Sequence, residues 1–189
     1  MKLQREALKH FFDTKMNKKI ADVEKADFEV VGDDIEDLAV ELNPDTETLK
    51  NILGQTKTTD NGYEPSISAD PFYADPDKKL YKPVRDIALK RKKGDDCKTL
   101  MLEVIVEDTE ADTHTAFLSE VMLKPQSYGG GTEGVNIPFN VSEDGERVEG
   151  TVTAASLETG SPKFTAVKAV SLSTEGKPVS TASSKKLSE

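Results

Sequence analysis

Apolar residues in this chain recur mostly at every second position, in short runs punctuated by turn residues. Leu38, Val40 and Leu42 alternate with Asp37, Ala39 and Glu41, the pattern of a strand with one buried and one polar face. Phe28, Val30 and the neighbouring Val31 mark a shorter strand that ends at Gly32-Asp33-Asp34. Asn43-Pro44-Asp45 is turn chemistry, because Pro fixes φ and Asn or Asp bonds its own backbone. Thr46 to Leu53 then runs back, making a long hairpin. Gln55 to Gly62 has no apolar anchor and reads as a polar loop closed by Asn61-Gly62. Tyr63 to Ala69 is a further strand, and Pro65 puts it at an edge. Leu100 to Val106 and Ala116 to Leu123 alternate on either side of a turn at Asp108 to Thr113. Val135 to Val141 and Arg147 to Val152 flank Ser142-Glu143-Asp144-Gly145, a hairpin signal. Phe164 to Val170 adds a last strand.

Two segments have helical spacing. Leu3, Ala7, Leu8, Phe11 and Phe12 predict an N-terminal helix without a strong cap. Asp75-Pro76 is a helix start, followed by Leu80, Val84, Ile87 and Ala88 and ended by Gly94. Pro83 inside that run predicts a kink or a break. The expected fold is mostly β: a β-sandwich or barrel with one flanking α-helix and a long inter-strand loop. The end of the chain, SLSTEGKPVSTASSKKLSE, has almost nothing to bury. Residues 1–170 are therefore read as the domain, with an N-terminal helical arm, and 171–189 as a mobile C-terminal tail.

Composition narrows the function. With 35% hydrophobic residues and no Trp, the core of this 189-residue chain is thin. The net charge of −10 repels nucleic acid backbones and argues against a conventional DNA-binding module. Cys97 is the only cysteine, which excludes an internal disulfide framework and a cysteine-rich zinc site. The start, MKLQREALKHFFD, is charged and unlike a signal peptide. No apolar run approaches the ~18 residues that span a bilayer. A soluble chain from a reducing compartment is expected, with no membrane partner.

Charge is distributed in blocks. Met1 to Ile20 carries six Lys or Arg against Glu6 and Asp13. Asp22 to Glu47 carries eleven acids against Lys25, and Lys78 to Lys93 is basic apart from Asp86. Such blocks either solvate a face or match patches on neighbouring copies.

Candidate chemistry is sparse. Asp108-Thr109-Glu110-Ala111-Asp112 has the acid spacing of a calcium loop, but Thr113 stands where Gly is needed and Ser119 where the distal Glu is needed. Gly129-Gly130-Gly131 is not followed by Gly-Lys-Ser/Thr and reads as a bulge or corner. His10 and His114 have no ligand-spaced partner. Asp95 and Asp96 before Cys97 disfavour a thiolate. No carboxylates stand out as an acid/base pair. The reading is of a protein without catalytic, metal or cofactor residues, not an enzyme.

Several pieces together resemble the major tail tube protein of long, non-contractile-tailed bacteriophages. They are MKLQREALKHFF, VELNPDTETLKNI, GYEPSISADPFYADPDKKLYKPVRDIALKRKKGD and SYGGGTEGVNIPFNVSEDGERVEGTV, covering roughly Met1 to Val152. The resemblance implies a β-sandwich whose copies form six-membered rings. The rings stack into a hollow tube in the virion tail, assembled in the host cytoplasm, through which viral DNA passes without specific binding. Tape measure, tail tip and terminator proteins are the implied partners. On this reading Asp37, Glu41, Thr48 and Lys50 face the lumen. Gln55, Thr56, Lys57, Thr58, Thr59, Asp60, Asn61 and Gly62 form a loop that reaches the next ring. Leu3, Leu8, Phe11 and Phe12 make the contacts of an N-terminal arm. The rival readings are a tail terminator, a type VI secretion tube subunit, or a free carbohydrate-binding or adhesin-like sandwich. Four Tyr, seven Phe and no Trp make a poor sugar-stacking platform.

Overall fold

Residues 2–167 of the chain, apart from 34, 36, 37 and 133, are described by a computed structural model. In chain order the strands are β1 (Leu8–Asp13), β2 (Phe28–Val31), β3 (Val40–Glu41), β4 (Pro44–Lys50) and β5 (Thr56–Tyr63). They continue with β6 (Ser66–Ala69), β7 (Lys98–Ile105), β8 (Thr113–Pro125), β9 (Phe139–Thr153) and β10 (Phe164–Ala166). The helices are α1 (Tyr81–Lys90) and the short α2 (Ala154–Glu158). The fold is mostly β with one flanking helix, as the alternation predicts.

A single curled antiparallel sheet runs β2-β1-β7-β8-β9-β6-β3. Strand β9 carries two partners on its outer edge. Phe139–Ser142 pair with β6, and Gly150–Val152 pair with β10. The sheet therefore divides along β9 and is covered diagonally. Phe12, Met101, Val121, Leu123, Phe139 and Val141 pack under Leu80, Val84 and Ile87 of the α1 region. On the opposite face Phe11, Leu100, Leu102, Val104, Leu118 and Val152 pack under Ile20, Val23, Leu157 and Phe164. Residues of β7 thus alternate between two cores, which is why that strand reads as a nearly continuous apolar run. Each fully buried Leu, Val or Phe contributes about 1.5–3 kcal/mol.

The N-terminal segment is a strand and not a helix. Only Arg5–Ala7 makes a 3-10 turn before β1. A helix would bury one stripe, whereas β1 buries Phe11 and Phe12 on opposite faces. Pairing with β2 and β7 satisfies the backbone that an uncapped helix would leave open. Asp13 then organises the exit. It is fully buried and accepts bonds from Lys15 N at 2.9 Å, Asn17 N and Nδ2 at 2.8 Å, and Asp27 N at 2.8 Å.

Pro83 neither kinks nor splits α1. It is the third helical residue, where a missing N–H costs nothing. The helix begins where Glu29 sets it: its carboxylate accepts from Lys79 N at 3.0 Å and Leu80 N at 2.6 Å. It ends at left-handed Arg91, ahead of Gly94.

The expected hairpin at Asp144-Gly145 is instead a bulge within the unbroken β9. Ser119 pairs with Arg147 and Val121 with Glu143, so residues 144–146 stand opposite Glu120 alone. Gly145 has φ 144°, and a Cβ there would collide with the Glu120 carboxylate. Glu120 uses that room to accept from Lys19 Nζ at 2.9 Å and Ile20 N at 3.1 Å, which pins the 3-10 turn over the second core. The last strand, expected over Phe164 to Val170, is β10 as far as Ala166. The proposed tail, 171–189, lies outside the described residues.

Candidate assembly surfaces

The segment 43–63 departs most from expectation. Asn43-Pro44-Asp45 does not turn Leu38–Leu42 back onto Thr46–Leu53. Strand β3 pairs with β6, and β4 pairs with β5 in a separate two-stranded ribbon. Gln55–Gly62, expected as a loop, is nearly all strand β5. Thr-rich, β-branched sequence on both sides supplies strand propensity without any apolar face. All of β4 and nearly all of β5 are exposed, so this ribbon stands off the sheet as an arm. Its tip is Asn51–Gly54. Asn51 Oδ1 accepts from Leu53 N at 3.0 Å and Gln55 N at 2.9 Å, and Gly54 has φ 77°.

The arm concentrates unspent apolar surface. Among the described residues eleven large apolar side chains are exposed, and five of them lie at 42–63. They are Leu42, Leu49, Ile52, Leu53 and Tyr63, with Ile52 103% exposed. Pro44 apart, the rest of the ribbon's exposed side chains are polar or charged.

A second surface is the uncovered face of β3, β6 and the first half of β9. Leu38, two residues ahead of β3, is buried and Glu41 is exposed, the sides that alternation gives them. Leu42 breaks the pattern, because the strand has already ended. Cross-strand register puts Glu41 beside Ser66 and Ser142, and Ser68 beside Asn140. Small neutral polar groups and carboxylates dominate this face. Thr48 and Lys50 do not join it; they are on the arm, where Thr48 Oγ1 lies 3.3 Å from Thr58 Oγ1. Asp37 lies outside the described residues.

Strands β2 and β3 end the sheet path, and neither has a second strand partner among the described residues. Of the expected arm contacts, Phe11 and Phe12 are spent in the chain's own cores, Leu8 is half-buried, and Leu3 is 56% exposed. The sheet also contains a largely buried polar cluster that sequence reasoning missed. His10 Nε2 lies 3.3 Å from Glu103 Oε1, Arg147 Nη2 lies 2.5 Å from Glu103 Oε2, and Arg147 Nη1 lies 2.8 Å from Glu143. Burial pushes the Glu103 carboxyl up, but His10 and Arg147 outweigh it and hold the group below its usual value. This cluster cross-links β1, β7 and β9. The tip residues Ile52 and Leu53 were also missed. The signal was the near-mirror run TETLK-NILG-QTKTT, two Thr-rich arms around Asn and Gly.

No family model matches the sequence, and no curated protein matches it. Solved structures do resemble the fold. The SPP1 tail tube aligns with a TM-score of 0.53 at 14% identity, covering 78% of each chain. The tail of an empty GTA particle aligns at 0.49 and 14% identity, covering 77% of this chain and 97% of that one. A sheath/tube terminator of an extracellular contractile injection system aligns at 0.45 and 9%, covering 79% and 96%.

Proposed function

We propose that this chain is the structural subunit of a bacteriophage tail tube. Copies form six-membered rings that stack into a hollow virion tail, and the viral DNA passes through the bore. The observation that carries the reading is the pairing of a curled sheet, open at β2 and β3, with an exposed ribbon that has an apolar tip. The SPP1 tail tube, whose fold this chain shares, supports it. Open edges are templates for another chain, and joining them around a ring removes the liability. Contacts between unlike surfaces propagate, as a tube requires.

The face carrying Glu41, Ser66, Ser68, Asn140 and Ser142 is the wall in this reading. It offers DNA hydroxyls, an amide and negative charge, so the duplex is repelled and does not stick. Thr48 and Lys50 move from the wall to the arm, and Gln55–Gly62 keeps its role in contact with the next ring as strand β5. Tape measure, tail tip and terminator proteins are the other partners. The role requires no catalysis and no cofactor.

Negative-stain microscopy of the purified protein at rising concentration tests the proposal. Rings or tubes of uniform bore are expected. Isolated rings that never lengthen point to a terminator, and monodisperse monomer at every concentration refutes the assembly reading.

A further inference from the structure

The arm ends in two apolar side chains with nothing packed beneath them among the described residues. Ile52 is 103% and Leu53 77% exposed, and they project from an otherwise polar ribbon. Between Glu47 and Asp60 the only charged residues are Lys50 and Lys57, so the tip is apolar and positively charged.

Elsewhere on the chain lies a groove of the opposite character. It runs between the segment before β1, the end of β7 and α2, with a volume of about 790 Å³. Leu3, Ala7, Val106 and Leu157 supply its apolar lining. Around them stand Glu6, Glu107, Asp108 and Glu158, all exposed, against Lys2 and Lys9. The groove is therefore apolar with an acidic surround.

From this match we infer that the arm tip of one copy docks in the groove of a second copy. Ile52 and Leu53 enter the apolar lining, while Lys50 and Lys57 approach the carboxylates. The inference rests on the reading that copies of this chain associate, and it adds which surface receives the arm. Complementary charge steers the encounter, and burial of the two apolar side chains holds it.

The test is a disulfide between copies. Leu53→Cys and Glu158→Cys replace exposed residues, and the native Cys97 is fully buried. Assemblies of the double variant, mildly oxidised, should give a ladder of covalent oligomers on non-reducing gels. Leu53→Cys with Leu89→Cys, an exposed position on α1 over the opposite core and outside the groove lining, should give none. Independently, Leu53→Ser should raise the concentration at which assembly begins about tenfold or more. Lys50→Glu should weaken assembly, and adding Glu158→Lys should restore part of it. Assemblies that form normally but give no ladder, or that ignore Leu53→Ser, overturn the groove while leaving the tube proposal standing. An unmodified chain that never assembles overturns both.

Discussion

Replacing residues 45–62 by an Asn-Gly turn should separate folding from assembly. Pro44 and Tyr63 are already paired at the base of the ribbon, so a two-residue turn can close there. The cost to the subunit follows from what the arm touches. Its strands pair with each other and with nothing else among the described residues. The base is held by groups that remain: Asn43 Nδ2 donates to Ser66 Oγ at 3.0 Å, and Glu64 N donates to Leu42 O at 3.2 Å. No residue of the arm belongs to either core. Shortening the connection lowers the entropy of the unfolded chain and stabilises by roughly 1 kcal/mol. Loss of the ribbon's own bonds leaves the body of the subunit unaffected. The net change in unfolding free energy should stay within about 1 kcal/mol of zero, because the burial term is absent. Urea unfolding followed by far-UV circular dichroism measures it. Tube growth, followed by light scattering and microscopy, should be lost. Normal tubes from the shortened chain would remove the arm from assembly. Destabilisation beyond about 2 kcal/mol would show that the ribbon supports the fold after all.

Other consequences are as direct. Asp13→Ala strands four N–H donors and should cost at least about 3 kcal/mol, read as a lower urea midpoint; a cost below about 1 kcal/mol would mean that water replaces the carboxylate. At Glu120, as at Glu103, burial pushes the carboxyl up, yet Lys19 and Ile20 N–H hold it below the usual glutamate value of 4.5. Depressed folded values stabilise the protein above the unfolded value, and that contribution disappears as pH falls through the folded value. The thermal midpoint should be flat from about pH 7 to 5 and fall below the usual glutamate value, less steeply in Glu120→Gln; identical profiles would count against it. Glu41→Cys should react with a bulky thiol reagent much more slowly in tubes than in monomer, and equal rates would place Glu41 outside the bore. Assembly should require more protein as salt rises from 0.05 to about 1 M, where the screening length falls to ~3 Å; a constant threshold would reduce the charge blocks to solvation.

Strand β8 is legible from the period-2 alternation of its first half, and β7 from a short apolar run buried on both faces, with a polar turn between them. Helix α1 is legible for the matching reason at period 3.6, but it starts at Tyr81 and not at Asp75-Pro76. The failures have separate physical causes. Leu8, Phe11 and Phe12 satisfy a helical stripe, and they equally satisfy a central strand buried on both faces; the partner strands decide, and local sequence does not contain them. Asp144-Gly145 supplies a positive φ that serves a hairpin turn or a bulge alike. The choice belongs to β8, which continues through Pro125 and keeps β9 paired on both sides of the bulge. The arm escaped for the opposite reason. Its strands bury nothing, so hydrophobic periodicity has no signal to give, and only Thr content and the Asn–Gly turn announce it.

The charge blocks acquire a meaning from this placement. Several opposite charges are neutralised inside the subunit. Lys78 pairs with Asp33, Lys79 Nζ lies 3.0 Å from Asp27, and Lys25 Nζ lies 2.7 Å from Asp22. Within α1, Asp86 is held at about 2 by Lys90 and Arg85. These exposed pairs contribute little to stability. They do tie the helix lead to β2 and its approach, so one end of the sheet path is braced by ions beside an open edge. The other end, β3, is two residues long and leads straight into the arm. One edge is therefore stiff and the other short, with a long lever attached. In the proposed tube, a subunit built in this way joins its neighbours through unlike surfaces, and that asymmetry lets copies add indefinitely in one direction.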